Sequence, residues 1–135
     1  MIKIYKEKKI NVINGDVYRV IDNQSKGYIK FGEAYFSFIK YNKIKGWKKH
    51  KFMRLNLIVP IGKVQFVFFN QTRKNFKKVI IGESNYKRLV VDPGYWFAFK
   101  GLSKKQNLIL NISNIKHDPN ETENIDLDNI KYNWK

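Results

Sequence analysis

Between Lys45 and Gly62 the chain reads KGWKKHKFMRLNLIVPIG and carries His50, one of two histidines in the protein, two residues after Lys48. Side chains alternate across a strand, so residues two apart share a face. On that rule Lys48, His50, Arg54 and Asn56 share one face with Phe52 as the single apolar member, while Met53, Leu55, Leu57 and Val59 seal the other. An imidazole, with an ordinary pKa of about 6.5, is a ready general base at neutral pH. A lysine ammonium, ordinarily titrating near about 10.4, can neutralise a phosphate beside it. A strand that carries the pair on one face and seals the other with hydrocarbon can line a pocket that binds an anion. A solvated basic face on an edge strand has the same periodicity, which does not separate the two.

The elements that must hold these groups read as strands. Ile2–Tyr5, Val17–Ile21, Ala34–Ile39, Phe52–Val59, Val64–Phe69, Lys77–Ile81, Arg88–Val91, Tyr95–Phe99 and Asn107–Ile112 are short runs rich in β-branched and aromatic residues. Turn formers such as Asn14-Gly15-Asp16, Gly82-Glu83-Ser84-Asn85 and Asp92-Pro93-Gly94 punctuate the gaps. Only Asn120–Ile130 has room for a short helical turn. This pattern predicts an all-β protein, a jelly-roll β-sandwich or barrel forming a single domain over residues 1–135. Five of the eleven acidic residues, Asp118, Glu121, Glu123, Asp126 and Asp128, crowd near the C-terminus. On a basic body that segment is expected to fold back onto it or onto a partner subunit.

Composition narrows the functional classes. At 135 residues with 43% hydrophobic and 16% aromatic content, the chain is long and apolar enough to bury a core. The absence of cysteine removes disulfides, thiolate chemistry and zinc ribbons. The N-terminus MIKIYKEKKI lacks the apolar core of a signal peptide, and no run approaches a membrane span, so a cytoplasmic location is expected. A net charge of +16 favours phosphate-bearing partners. The excess is nearly all lysine, scattered along the chain, which leaves Arg19, Arg54, Arg73 and Arg88 as the more informative cations for phosphate.

The runs GEAYFS (32–37), KGWKKH (45–50), MRLNLIVPIGKVQFV (53–67), SNYKRLVVDPGYWFAFKGL (84–102) and NISNIKHDPNETENIDL (111–127) occur in an order that resembles short cupin proteins related to dTDP-4-dehydrorhamnose 3,5-epimerase. The resemblance implies a cupin jelly roll, a homodimer, no metal and no cofactor. It also implies a nucleotide-diphospho-4-keto-6-deoxy sugar bound inside the barrel, in surface-polysaccharide synthesis. Lys45 then matches the family's phosphate-binding arginine, Lys48 falls at the position of its histidine base, and His50 lies two residues later. Glu33 matches a polar residue that helps hold the diphosphate, and Arg19 loosely matches a phosphate-binding arginine. Phe97 stands where the family has a second pocket histidine, and His117 is the candidate to replace its tyrosine acid.

The expected catalytic set is His50, Lys48 and His117, with Tyr35 and Tyr95 competing for the role of acid. Arg19, Glu33, Lys45, Arg54, Arg88 and Trp47 are the substrate-binding candidates. For Arg88 a surface charge pair competes with a phosphate contact, and for Trp47 core packing competes with stacking on the nucleotide base. The functional classes in play are an epimerase or ketoisomerase, a non-catalytic cupin that binds a sugar nucleotide or glycan, and a nucleic-acid binder. The last is disfavoured because the aromatics follow core parity rather than clustering on one exposed sheet face.

Overall fold

The computed structural model describes residues 1–135 as a sandwich of two five-stranded antiparallel sheets of jelly-roll type. The first sheet runs β1 (Ile2–Lys6), β9 (Lys87–Val91), β6 (Leu55–Ile61), β11 (Leu108–Ser113) and β4 (Glu33–Phe38). The second runs β12 (Thr122–Asn124), β5 (Ile44–His50), β10 (Trp96–Gly101), β7 (Lys63–Asn70) and β8 (Asn75–Gly82). A small ribbon pairs β2 (Lys9–Ile10) with β3 (Val17–Tyr18). No helix is long and apolar enough to cross a membrane.

Alternation decides which side chains meet between the sheets. Leu55, Leu57 and Val59 of β6 and Leu89 and Val91 of β9 face Phe66 and Phe68 of β7, Val79 and Ile81 of β8, and Phe97 of β10 in one buried cluster. The outer face of the second sheet would expose Trp47, Val67, Trp96 and Ala98. It is covered instead by the C-terminal segment, whose Ile125, Leu127, Ile130, Tyr132 and Trp134 pack against them. The acidic stretch does fold back, and Glu123 pairs with Lys49 at 3.1 Å. Two single turns of 3-10 helix, Pro119–Glu121 and Leu127–Asn129, fill the region expected to hold a helical turn.

The expected continuity from His50 into one strand over Phe52–Val59 is corrected by the structure. The chain leaves β5 after His50, crosses to the other sheet, and re-enters strand only at Leu55. The crossing resets which parity faces inward. Lys48 and His50 line the interior from the second sheet, while Met53, Leu55, Leu57 and Val59 pack into it from the first. Arg54 and Asn56 consequently point outward, away from Lys48 and His50. β5 was not expected as a strand of its own, because five of its seven residues are lysine, glycine or histidine and its regular pairing is interrupted.

That interruption positions the site. Phe97 pairs with Lys48 and Ala98 with Gly46, so Trp47 has no partner on β10. A one-residue bulge of this kind re-aims the side chains on either side of it. Lys45 and Lys48, three apart, both reach the interior, while Trp47 is left to the outer face. Gly46 is required here: its φ of 149° disfavours any side chain, and an added Cβ would lie 2.4 Å from that of Ala98.

Candidate active site

A cavity of about 320 Å³ opens between the sheets where β4 and β11 face β5 and β10. Its polar lining comes from Tyr35 and Ser37 on β4, Asn111 on β11, and Lys45, Lys48 and His50 on β5. Leu57, Phe66, Phe97, Phe99 and Ile109 supply an apolar floor. Size and mixture match a small-molecule site, in which a few polar groups orient a ligand within apolar walls.

His50 is 7% exposed and its Nδ1 lies 2.7 Å from Oε1 of Glu121, itself 4% exposed. The other carboxylate oxygen of Glu121 accepts the backbone N–H groups of Phe52 at 2.9 Å and Met53 at 2.8 Å. Burial works against the charge on Glu121, but the hydrogen bond from His50 and the two backbone donors outweigh it and hold its pKa below the usual carboxylate value. Burial also lowers the pKa of His50; pairing with Glu121 opposes that effect, and the charges of Lys48 and His117 reinforce it. At neutral pH the pair is therefore an ionised carboxylate and a neutral imidazole. Nδ1–H donates to Glu121, and Nε2 keeps its lone pair for a proton. The ring of Phe97 stacks on His50 with centroids 5.9 Å apart.

Two cations flank the base. Lys48 and Lys45 line the cavity, and neither forms an ion pair with an acidic side chain. Lys45 Nζ donates to the carbonyl of Phe38 at 2.6 Å, which holds it across the gap to β4. From the opposite sheet comes Tyr35, whose Oη accepts a hydrogen bond from Asn111 Nδ2 at 2.9 Å. Burial raises the pKa of Tyr35, and the charge of Glu33 adds to the rise against the Asn111 bond, so the phenol holds its proton throughout the neutral range. No group of three or more His, Cys, Asp or Glu side chains is placed to hold a metal ion.

Of the nine candidates, the structure brings Lys45, Lys48 and His50 together at the cavity. Trp47 also borders it, but its ring is 1% exposed beneath the C-terminal segment and its Nε1 donates to the carbonyl of Leu127 at 3.2 Å. That is packing, with no face free for a nucleotide base. Glu33 has the inward parity of Tyr35 and Ser37 but sits beyond the cavity lining.

The other candidates lie elsewhere. His117 is exposed in the loop before Pro119. Arg54 pairs with Asp92 at 2.8 Å on the outer face. Arg19 is exposed and uses its carbonyl to accept from Tyr86 Oη at 2.8 Å. Arg88, 2% exposed, faces away from the cavity, with Glu7 at 2.9 Å and the carbonyl of Lys26 at 2.8 Å as partners. It is a buried structural cation, because a guanidinium out of water must have its donors met.

Glu121 escaped the sequence reading as a site residue because it looked like one more acid in a charged tail. Its four neighbours in the described turn, Asp118 to Asn120 and Thr122, are exposed or half-buried, so nothing local singles it out. Asn111 was hidden in a run that reads as core strand.

No protein-family model matches the sequence, and no curated protein matches it. Solved structures do. A dTDP sugar isomerase from Desulfovibrio desulfuricans G20 superposes with a TM-score of 0.92 at 26% identity, over 98% of this chain and 90% of that one. The chain is a structural relative of the dTDP-sugar isomerases and epimerases. Within that group, a dTDP-6-deoxy-D-glucose-3,5-epimerase from Legionella pneumophila Philadelphia 1, in complex with dTDP-4-keto-L-rhamnose, gives a TM-score of 0.80 at 17% identity, over 93% of this chain and 73% of that one. A sugar 3,4-ketoisomerase from Thermoanaerobacterium thermosaccharolyticum, in complex with TDP, gives 0.79 at 15% identity, over 96% and 90%. The cupin jelly roll implied by the sequence motifs is thus the fold of the molecule.

Proposed function

We propose that this protein is a sugar-nucleotide epimerase or isomerase that acts on a nucleotide-diphospho-4-keto-6-deoxy sugar by removing a proton from the carbon next to the ketone. The observation that carries the reading is the His50–Glu121 pair on the wall of a cavity that also holds two lysines. Nε2 of His50 takes the carbon-bound proton, and the electron pair moves onto the ketone oxygen as an enolate. Glu121 holds the imidazole in the required tautomer and stabilises the imidazolium that forms. Lys48 neutralises the enolate oxygen, and Lys45 is placed for the diphosphate. Tyr35, on the opposite sheet, returns a proton to the sugar, and solvent restores both groups afterwards. The competing acids fall behind Tyr35 on placement, since neither His117 nor Tyr95 borders the cavity.

Residues 1–135 form the working domain in this reading. It acts without metal or cofactor, in the cytoplasm, in surface-polysaccharide synthesis, and as a homodimer. An open sheet edge at β4 with exposed Phe36 and Phe38 suits a second copy. The test is NMR of TDP-4-keto-6-deoxyglucose in D2O with the protein added. Deuterium should appear at a carbon next to the ketone, and His50→Ala should abolish its uptake. Tight binding without exchange would instead leave a sugar-nucleotide-binding protein.

A further inference from the structure

Asn111 occupies the middle of the first sheet's inner face, level with Leu57 on β6 and Tyr35 on β4. It is 6% exposed and borders the cavity. Its Nδ2 donates to Tyr35 Oη, and its Oδ1 is the single buried side-chain nitrogen or oxygen in the molecule without a hydrogen-bond partner. Buried acceptors are nearly always met, and one left unmet destabilises the fold. An aliphatic residue would sit among Leu57 and Ile109 with no such penalty, so the amide at this place calls for a donor that arrives with a ligand.

We infer that Asn111 is a specificity-determining residue: its Oδ1 accepts a hydrogen bond from a ring hydroxyl of the bound sugar, while its Nδ2 orients the Tyr35 hydroxyl. Because Tyr35 Oη accepts from Asn111, the phenolic proton must point away from the amide, toward the ligand space. One side chain thus recognises the sugar and aims the acid. The inference rests on the sugar-nucleotide reading, and it assigns selectivity for a hydroxylated sugar to β11, the strand opposite the base. The diphosphate and the nucleoside have no part in this contact.

Calorimetric titrations of TDP and of TDP-4-keto-6-deoxyglucose into the wild type and Asn111→Leu test it. The leucine variant should bind TDP within about twofold of the wild type and the sugar nucleotide about tenfold more weakly, the loss of one neutral hydrogen bond. Without ligand it should melt at or above the wild-type temperature, since the unmet carbonyl is gone. If the wild type binds neither ligand, the sugar-nucleotide reading falls and this inference with it. If the wild type binds both but the variant weakens them equally, or neither, or melts well below the wild type, Asn111 is structural and the inference alone is overturned. Should leucine prove too large to fold, Asn111→Ala enters the same titrations with the same expected split between ligands.

Discussion

Glu121→Gln changes one oxygen of the carboxylate to an amide nitrogen at almost constant volume, and the structure dictates how the new side chain sits. Two backbone donors, Phe52 N–H at 2.9 Å and Met53 N–H at 2.8 Å, converge on Oε2, and His50 Nδ1 faces Oε1 at 2.7 Å. The glutamine carbonyl must take the Oε2 place, because the reverse orientation strands two buried N–H groups at about 1–3 kcal/mol each. The amide then donates to Nδ1 of His50. That forces the imidazole proton onto Nε2, the atom that must be free to accept a proton from the substrate. The comparable carboxylate-to-amide change behind the histidine of a serine protease lowers kcat about 10⁴-fold, or about 5.4 kcal/mol of barrier. A loss of about 10³–10⁴-fold in deuterium uptake is expected here, with KM little changed because Glu121 does not border the cavity. A fall in Tm of about 5–10 °C should accompany it, from the lost charge-assisted bond. NMR exchange rates in D2O and a thermal melt measure the two effects. A folded variant that exchanges within tenfold of the wild type would refute the assignment of His50 and Glu121 as base and orienting acid.

The same pair sets the pH response. The folded-state pKa of His50 lies below its ordinary 6.5, so the unfolded chain binds its proton more readily; stability falls as pH drops below about 6.5 toward that lowered value. Glu121 and Asp92 are also lowered, from 4.5 and 3.8, so their contributions are present above those values and are lost as pH falls from them through the lowered folded-state values. Denaturant midpoints from pH 8 to 3 should show a first decline starting near 6.5, absent in His50→Gln, and the acid limb of kcat should lie below 6.5. Lys45→Ala should weaken TDP by about 10–100-fold, the worth of a hydrogen bond to a charged group. Lys48→Ala should instead lower the deuterium-exchange rate by a similar factor with little change in the Kd for TDP, and Arg54→Ala should leave that Kd unchanged. Arg88→Ala removes the partner of Glu7 in a buried ion pair and should cost about 3–5 kcal/mol in urea unfolding. Its KM is expected to stay at the wild-type value; a raised KM in the folded fraction would return Arg88 to the binding site.

Much of the architecture follows from local pattern. Seven of the nine expected strand runs lie over observed strands with boundaries shifted by at most two residues, since β-branched and aromatic runs bounded by turn residues have few other ways to bury their surface, whereas Val17–Ile21 is strand only over Val17–Tyr18. The ninth, Phe52–Val59, began three residues early because Phe52, Met53 and Arg54 continue the alternation through the crossing between sheets. Period-2 reasoning cannot detect such a crossing, as the pattern is unbroken while the inward side changes. Hence Lys48 and His50 were placed together correctly, and Arg54 and Asn56 were grouped with them although they lie on the other face of the first sheet, Arg54 against Asp92 and Asn56 buried against the carbonyl of Gly27.

The order of residues alone determined the all-β class, the short-strand layout and the pairing of a lysine with a histidine two residues apart on one face, because these depend on neighbours within a few positions. Tertiary structure decided the chemistry of that face. Glu121 reaches His50 across 71 positions, and Asn111 meets Tyr35 across 76, through sheet pairings that no local signal announces. The arginines show the same division from the other side. Arginine was the informative cation for a phosphate by composition, yet Arg54 and Arg88 each found a carboxylate far along the chain and were drawn outward. A charge leaving water is held wherever its partner lies, and the position of that partner is a property of the fold.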